Sequence, residues 1–168
     1  MHIVTAEYPV KLAKSDVWQL LSDLSKADMY VQGLTALAFT TTARQGVGAS
    51  RRVTQGKSMQ LDETVTEWVD GEGFRLRLHR GEKGPIPPLS KLFFDYRVVQ
   101  RGDQVYLRNS MHYEVGLGPL GALLNSLFLK RLVSTQLHKV TLAQTIYYQT
   151  GERVTPEILK AAELNSGV

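Results

Sequence analysis

The chain has 168 residues, 43% hydrophobic and 21% charged, the balance of one ordinary globular domain rather than of a disordered or fibrous chain. It contains no cysteine, which excludes disulfides, thiolate nucleophiles, cysteine-ligated zinc and iron–sulfur clusters, and MHIVTAEYPVKLAKSDVW shows no basic-then-apolar leader, so a soluble, cytoplasmic protein is expected. The formal net charge of +4 is scattered along the chain, which offers no footprint for nucleic acid.

HIVTAEYPVKL, rich in β-branched residues, predicts a first strand. Ser15 is placed to cap the following helix, where Val17, Leu20, Leu21 and Leu24 recur at helical spacing until the pattern ends at Tyr30-Val31-Gln32-Gly33. Short strands are then expected over about 34–43, 48–55, 58–69, 73–81, 91–100 and 103–115, with turn signals at Gln45-Gly46, Gln55-Gly56-Lys57, Asp70-Gly71-Glu72-Gly73 and Arg101-Gly102-Asp103. Connections this short cannot be parallel crossovers, so the strands form an antiparallel meander. The GEKGPIPPLS loop interrupts it, a stiff apolar segment placed either as a lid over an entrance or as packing over one end of the sheet. A long helix is expected from about Pro119 to Gln149, ended by Gly151, and Thr155-Pro156-Glu157 begins a short tail helix.

The stretch YEVGLGPLGALL carries Gly116, Gly118 and Gly121 at the spacing of a dinucleotide fingerprint. That motif works by leading a parallel strand into a phosphate-binding helix whose chain returns to a second parallel strand. Here the preceding strands form a meander, no strand is expected afterwards, and Pro119 removes a backbone N–H from the helix start. The glycines read as a sharp turn and a close helix approach, and no cofactor is expected.

The order of strand, helix pair, meander and long C-terminal helix, with SDVWQLLSDLSKADMYVQGL, GVGASRRVT, LDETVTEWVDGEGFRLRL and GPLGALLNSLFLKRLV, resembles the START-like superfamily. That superfamily is often labelled SRPBCC or polyketide cyclase/dehydrase and includes the birch-pollen-allergen fold. The resemblance covers roughly residues 2–150; many members carry Pro just before the first helix, where this chain has Lys14-Ser15. It implies an α+β helix-grip fold, in which an antiparallel seven-stranded curved sheet wraps the C-terminal helix and leaves a cavity for an apolar ligand. A single domain is then expected over 1–150, followed by a tail over 151–168.

Strand parity sorts the lining, since side chains alternate across a sheet. Met59, Leu61, Val65 and Val69 share one face, as do Phe74, Leu76 and Leu78; Leu92, Phe94, Tyr96 and Val98; and Val105, Leu107, Met111 and Tyr113. On the helix Leu120, Leu123, Leu124, Leu127 and Phe128 form a broad apolar face. The candidate ligand-binding residues are therefore Leu61, Val65, Phe74, Leu76, Leu78, Phe94, Tyr96, Leu107, Asn109, Met111, Tyr113, Leu124 and Phe128.

Polar residues within this inward set carry the chemistry. Glu63 and Glu67 lie on the inward parity of their strand, Glu67 near its solvated end, and Asn109 lies between Leu107 and Met111. A buried carboxylate needs a partner or a raised pKa, so Glu63 either pairs with Arg51 or Arg52 or serves as a catalytic acid or base. Glu63, Asn109, Tyr96 and Tyr113 are candidates to orient a ligand, with Asn109 and Tyr96 alternatively satisfying each other. His2, His79, His112 and His138 lack metal-ligand spacing, so no metal is expected.

Three functions fit. The first is binding of a small apolar or amphipathic ligand: a lipid, polyketide or aromatic compound. The second is a cyclase or dehydratase that uses Glu63. The third is an interaction module with a vestigial cavity, reading a partner through a basic convex face of Arg75, Arg77, His79, Arg97 and Arg108. That stripe also suits transient contact with a membrane surface, and the surplus apolar residues Phe128, Leu129 and Leu132 suit a homodimer contact.

Overall fold

Alternation of buried and exposed side chains from His2 to Val115 is realised as seven antiparallel strands: β1 (His2–Val10), β2 (Leu34–Phe39), β3 (Ser50–Gln55), β4 (Met59–Val69), β5 (Gly73–His79), β6 (Leu89–Arg101) and β7 (Gln104–Val115). The computed structural model describes residues 1–116, 118, 119, 121 and 128–166. The strands form one sheet in the order β1-β7-β6-β5-β4-β3-β2, so every neighbour except β1 follows from a hairpin. β1 closes against the last strand, with His2 opposite Tyr113 and Val10 opposite Val105.

Helix α1 (Lys14–Leu21) and a 3₁₀ helix (Leu24–Met29) cross from β1 to β2. The expected single helix is broken at Ser22-Asp23, because the Asp23 carboxylate accepts from the backbone N–H and hydroxyl of Ser25 and starts a new turn. The cap of α1 is Ala13, with no side-chain hydrogen bond, and Ser15 falls inside the first turn. Helix α2 (Lys130–Thr150) lies across β1 and β7 and buries Leu137, Thr141, Ala143, Gln144 and Tyr148. Most of the expected helix start, including Leu124, lies outside the described residues. Gly151 ends α2 with φ 73°, its N–H donating to the Tyr147 carbonyl at 2.7 Å. Helix α3 (Pro156–Ser166) then returns to the body through buried Val154 and Leu159. The curved sheet and the helix it grips are the helix-grip arrangement that the resemblance implies.

Parity holds along β5, β6 and β7, where Phe74, Leu76, Leu92, Phe94, Tyr96, Val98, Val105, Leu107 and Tyr113 are all buried. It fails at the end of β4. The pairing shifts between Val65 and Glu67, so Thr66 is bulged and every later side chain changes face. Glu67 and Val69 consequently point outward, and Trp68 turns inward. Trp68 joins a ladder of rings in which Trp18–Trp68, Trp68–Phe74, Phe74–Tyr96 and Phe94–Tyr96 centroids lie 5.1, 5.3, 5.0 and 4.4 Å apart. At the start of β5 a glycine is required, because a Cβ on Gly73 would collide with the Tyr96 carbonyl and the Arg97 side chain.

The convex face is not the basic stripe expected from the sequence. Arg75 forks onto Asp95 and reaches Glu67, His112 lies 3.0 Å from Asp95, Arg97 lies 3.7 Å from Glu67, and Arg101 and Arg108 converge on Glu7. Acids on neighbouring strands neutralise most of the cations, a pairing across strands that reading one strand at a time does not reveal. The loop of residues 84–88 is fastened to the end of β7 by the Gly116 N–H, which donates to the Pro88 carbonyl at 2.8 Å.

Candidate functional site

The concave face of the sheet and α2 enclose a cavity of about 240 Å³. Strands β3 to β7 supply Arg51, Val53, Gln55, Met59, Leu61, Glu63, Leu78, Phe94, Tyr96 and Met111; the crossover region and β2 supply Ala27, Val31, Gln32 and Leu34; α2 supplies Gln136, Lys139 and Val140. Exposed Met59 and Gln136 and half-buried Lys139 mark the mouth, while Arg51 and Tyr96 are buried within. No residue of the 84–88 loop lines it, so that loop packs over an end of the sheet rather than acting as a lid.

The floor is organised by one ion pair. β3 and β4 run antiparallel with Arg51 opposite Glu63, both on the inward parity. The Arg51 Nε donates to Glu63 Oε2 at 2.7 Å and its Nη2 lies 2.6 Å from the same oxygen, while Nη1 donates to the Leu24 carbonyl. The Arg51 side chain is 4% exposed and that of Glu63 14%. Burial opposes the guanidinium charge, but Glu63, together with Tyr30 and Tyr96, outweighs it and holds the Arg51 pKa above its ordinary value. Arg52, the other candidate partner, instead forks onto Asp62 on the opposite face.

Two tyrosines stand beside this pair. Burial pushes the Tyr30 hydroxyl up to about 12 despite the lowering influence of Arg51, and its hydroxyl interacts with that of Tyr96. Burial likewise raises Tyr96 well above its ordinary value, with further contributions from Tyr30 and Glu63. Both are neutral hydroxyls at physiological pH, able to donate and accept.

Of the residues expected to bind ligand, Leu61, Leu78, Phe94, Tyr96 and Met111 line the cavity, and so does Glu63. Val65, Phe74, Leu76 and Leu107 are buried in packed core behind the lining, where side chains meet one another rather than an open space. Asn109 is fully buried but serves the sheet–helix contact: its Nδ2 donates to Gln144 Oε1 at 2.8 Å and Thr141 Oγ1 at 3.2 Å, and Gln144 donates on to the Tyr148 hydroxyl. It does not pair with Tyr96. Tyr113 packs against the His2 ring, centroids 5.3 Å apart, at the far end of β7. Phe128 is 70% exposed and outside the cavity, because α2 presents Gln136, Lys139 and Val140 there, two turns further on. Leu124 lies outside the described residues.

Sequence reasoning expected a strand over 48–55 and offered Arg51 or Arg52 to Glu63, but missed that Arg51, Val53 and Gln55 alternate into the lining, as it missed the i, i+3, i+4 set Gln136, Lys139 and Val140. Both signals were present as periodicity. Among the described residues no cluster of three or more His, Asp or Glu is placed to hold a metal ion. His79, His112 and His138 instead approach Thr64, Asp95 and Tyr8. Gly116 and Gly118 follow an antiparallel strand, and α2 leads on to α3, so the parallel strand–helix–strand context of a dinucleotide site is not built. A larger hollow of about 420 Å³ between Tyr8, α2 and α3 is an open surface groove bordered by Lys139, Lys160 and Glu163.

A family model described as polyketide cyclase / dehydrase and lipid transport matches residues 1–144. A search of curated proteins finds no match. Among solved structures, the fold is similar to that of TTHA0849 from Thermus thermophilus, at 19% identity and TM-score 0.64, covering 96% of this chain and 99% of that one. XoxI from Bacillus cereus is similar at 12% identity and TM-score 0.67, over 89% and 97% of the two chains. Norcoclaurine synthase from Thalictrum flavum, solved with dopamine and hydroxybenzaldehyde, is similar at 14% identity and TM-score 0.60, over 86% and 84%. At such identities the likeness shows the fold alone.

Proposed function

The chain belongs to the polyketide cyclase/dehydrase and lipid transport family, and from that premise we propose that it binds one small, largely apolar molecule in the cavity between sheet and α2. The observation that carries this reading is the cavity itself. Its walls include Leu61, Leu78, Phe94, Met111 and Val140, and Arg51, Glu63 and Tyr96 form one polar cluster on it, with Gln32, Gln55, Gln136 and Lys139 as the further polar lining. Apolar walls favour a ligand by roughly 25 cal/mol per Å² removed from water, and a few convergent polar groups orient it.

The enzymatic reading asks more of Glu63. A carboxylate acting as general base there takes up a proton beside Arg51, which removes the negative charge that offsets a buried guanidinium. Binding without turnover asks for no such step. No helix among the described residues is long and apolar enough to cross a membrane, and the interleaved acids of the convex face weaken the case for docking on an anionic bilayer.

The test is native mass spectrometry of the protein purified from its own host, followed by organic extraction, alongside a Met111→Trp variant that fills the cavity. One compound per chain, lost in the variant while its circular dichroism is unchanged, is the expected result. An empty protein that also fails to bind a panel of lipids and aromatics overturns the reading.

A further inference from the structure

The lining restricts the ligand's charge, size and orientation. Arg51 and Glu63 are the ionic groups at the floor and they neutralise each other, with the guanidinium nitrogens engaged by Glu63 and the Leu24 carbonyl. Among the described residues no free cation remains there to meet a carboxylate, and burying an unpaired charge is costly. The other cation on the lining, Lys139, sits at the mouth and reaches Glu163 of α3 at 3.4 Å. An anionic head is therefore unsupported inside.

An alkyl tail suits the floor no better. Both Arg51 contacts end on Glu63 Oε2, and Oε1 accepts no hydrogen bond among the described residues. Tyr96 lines the cavity with Arg51 and Glu63, and its hydroxyl, which interacts with that of Tyr30, has the capacity for a second hydrogen bond. A purely apolar group pressed against them strips their water and returns no hydrogen bond. A hydroxyl meets both needs, donating to the carboxylate and accepting from the tyrosine.

The remaining constraints are shape and volume. Phe94 and Tyr96 are stacked 4.4 Å apart and form an aromatic wall. Since a sealed apolar cavity of about 150 Å³ takes one benzene, about 240 Å³ suits one ring or two fused rings, not a two-chain lipid.

Building on the cavity-binding reading above, we infer that the ligand is an uncharged hydroxyaromatic compound of one or two rings, seated with its hydroxyl innermost between Tyr96 and Glu63. Isothermal titration of the full chain at pH 7 with 2-naphthol, naphthalene, 2-naphthoate and palmitate tests this. The expected result is 2-naphthol bound roughly tenfold more tightly than either naphthalene or 2-naphthoate, with palmitate weaker still. In Tyr96→Phe, the preference for 2-naphthol over naphthalene falls to roughly threefold or less. Tight binding of 2-naphthoate or palmitate that Met111→Trp abolishes overturns the ligand class while leaving the cavity reading intact. An undiminished 2-naphthol preference in Tyr96→Phe overturns the seating. Failure of all four to bind, or binding indifferent to Met111→Trp, overturns the cavity reading and this inference with it.

Discussion

Replacing Glu63 by alanine strands the Arg51 guanidinium in a site where its side chain is 4% exposed and the Leu24 carbonyl is its remaining partner. Removing one member of a buried ion pair costs about 3–5 kcal/mol, because the surviving charge keeps its desolvation penalty without its counter-charge. For a chain of this length each kcal/mol moves the thermal midpoint by about 2–4 °C, so Glu63→Ala is expected to melt roughly 6–20 °C lower. The double variant Arg51→Met/Glu63→Leu removes both charges and leaves the Leu24 carbonyl as the group lacking a partner, a loss of about 1–3 kcal/mol. Equilibrium urea unfolding of wild type, Arg51→Met, Glu63→Leu and the double variant, followed by circular dichroism, measures the coupling. A value of about 2 kcal/mol or more is expected. Coupling below about 0.5 kcal/mol, the range of exposed pairs, refutes the reasoning that this pair organises the cavity floor.

Asn109→Ala removes the donor to Gln144 and Thr141 at the sheet–helix contact, and a drop of about 2–4 kcal/mol in urea-unfolding stability with an unchanged m-value is expected. Burial pushes Glu7 up, but hydrogen bonds from Arg101 and Arg108 outweigh it and hold its pKa below the ordinary 4.5. The stability contributed by Glu7 is thus fully present above pH 4.5 and lost as pH falls through the lower folded-state value; melting curves of wild type and Glu7→Gln should differ at pH 7 and converge on acidification. Gly73→Ala forces β5 away from the Tyr96 carbonyl of β6, costing about 1–3 kcal/mol, and an unchanged thermal midpoint would refute the close approach.

Local rules carried far where a strand is regular and one-sided. The period of two along β6 and β7 correctly separated Leu92, Phe94, Tyr96 and Val98 from Phe93, Asp95, Arg97 and Val99, and turn residues located the hairpins. The same rule misassigned Glu67 and Val69, because a bulge at Thr66 inserts one residue and reverses everything beyond it. A bulge is specified by its partner strand, so a period counted within β4 alone has no means of registering it. The 3₁₀ break at Asp23 has the same character, since Leu24 continues the helical spacing while a capping side chain restarts the turn.

In the candidate site, local pattern sufficed for an inward Glu63, an aromatic run through Phe94 and Tyr96, and a helix able to close over them. Which of these face open space depends on how the sheet and α2 pack. Leu107 and Met111 share a parity and a strand, yet Leu107 is fully buried in packed core and Met111 lines the cavity. Tertiary packing also decided partners: Arg51 over Arg52 for Glu63, and Gln144 over Tyr96 for Asn109. Hydrophobic period is a property of one segment, whereas a cavity and an ion pair depend on the curvature of the sheet and the height at which α2 crosses it. Those are set jointly by side chains far apart in the chain, as in the contact between Asn109 and Gln144, 35 positions on.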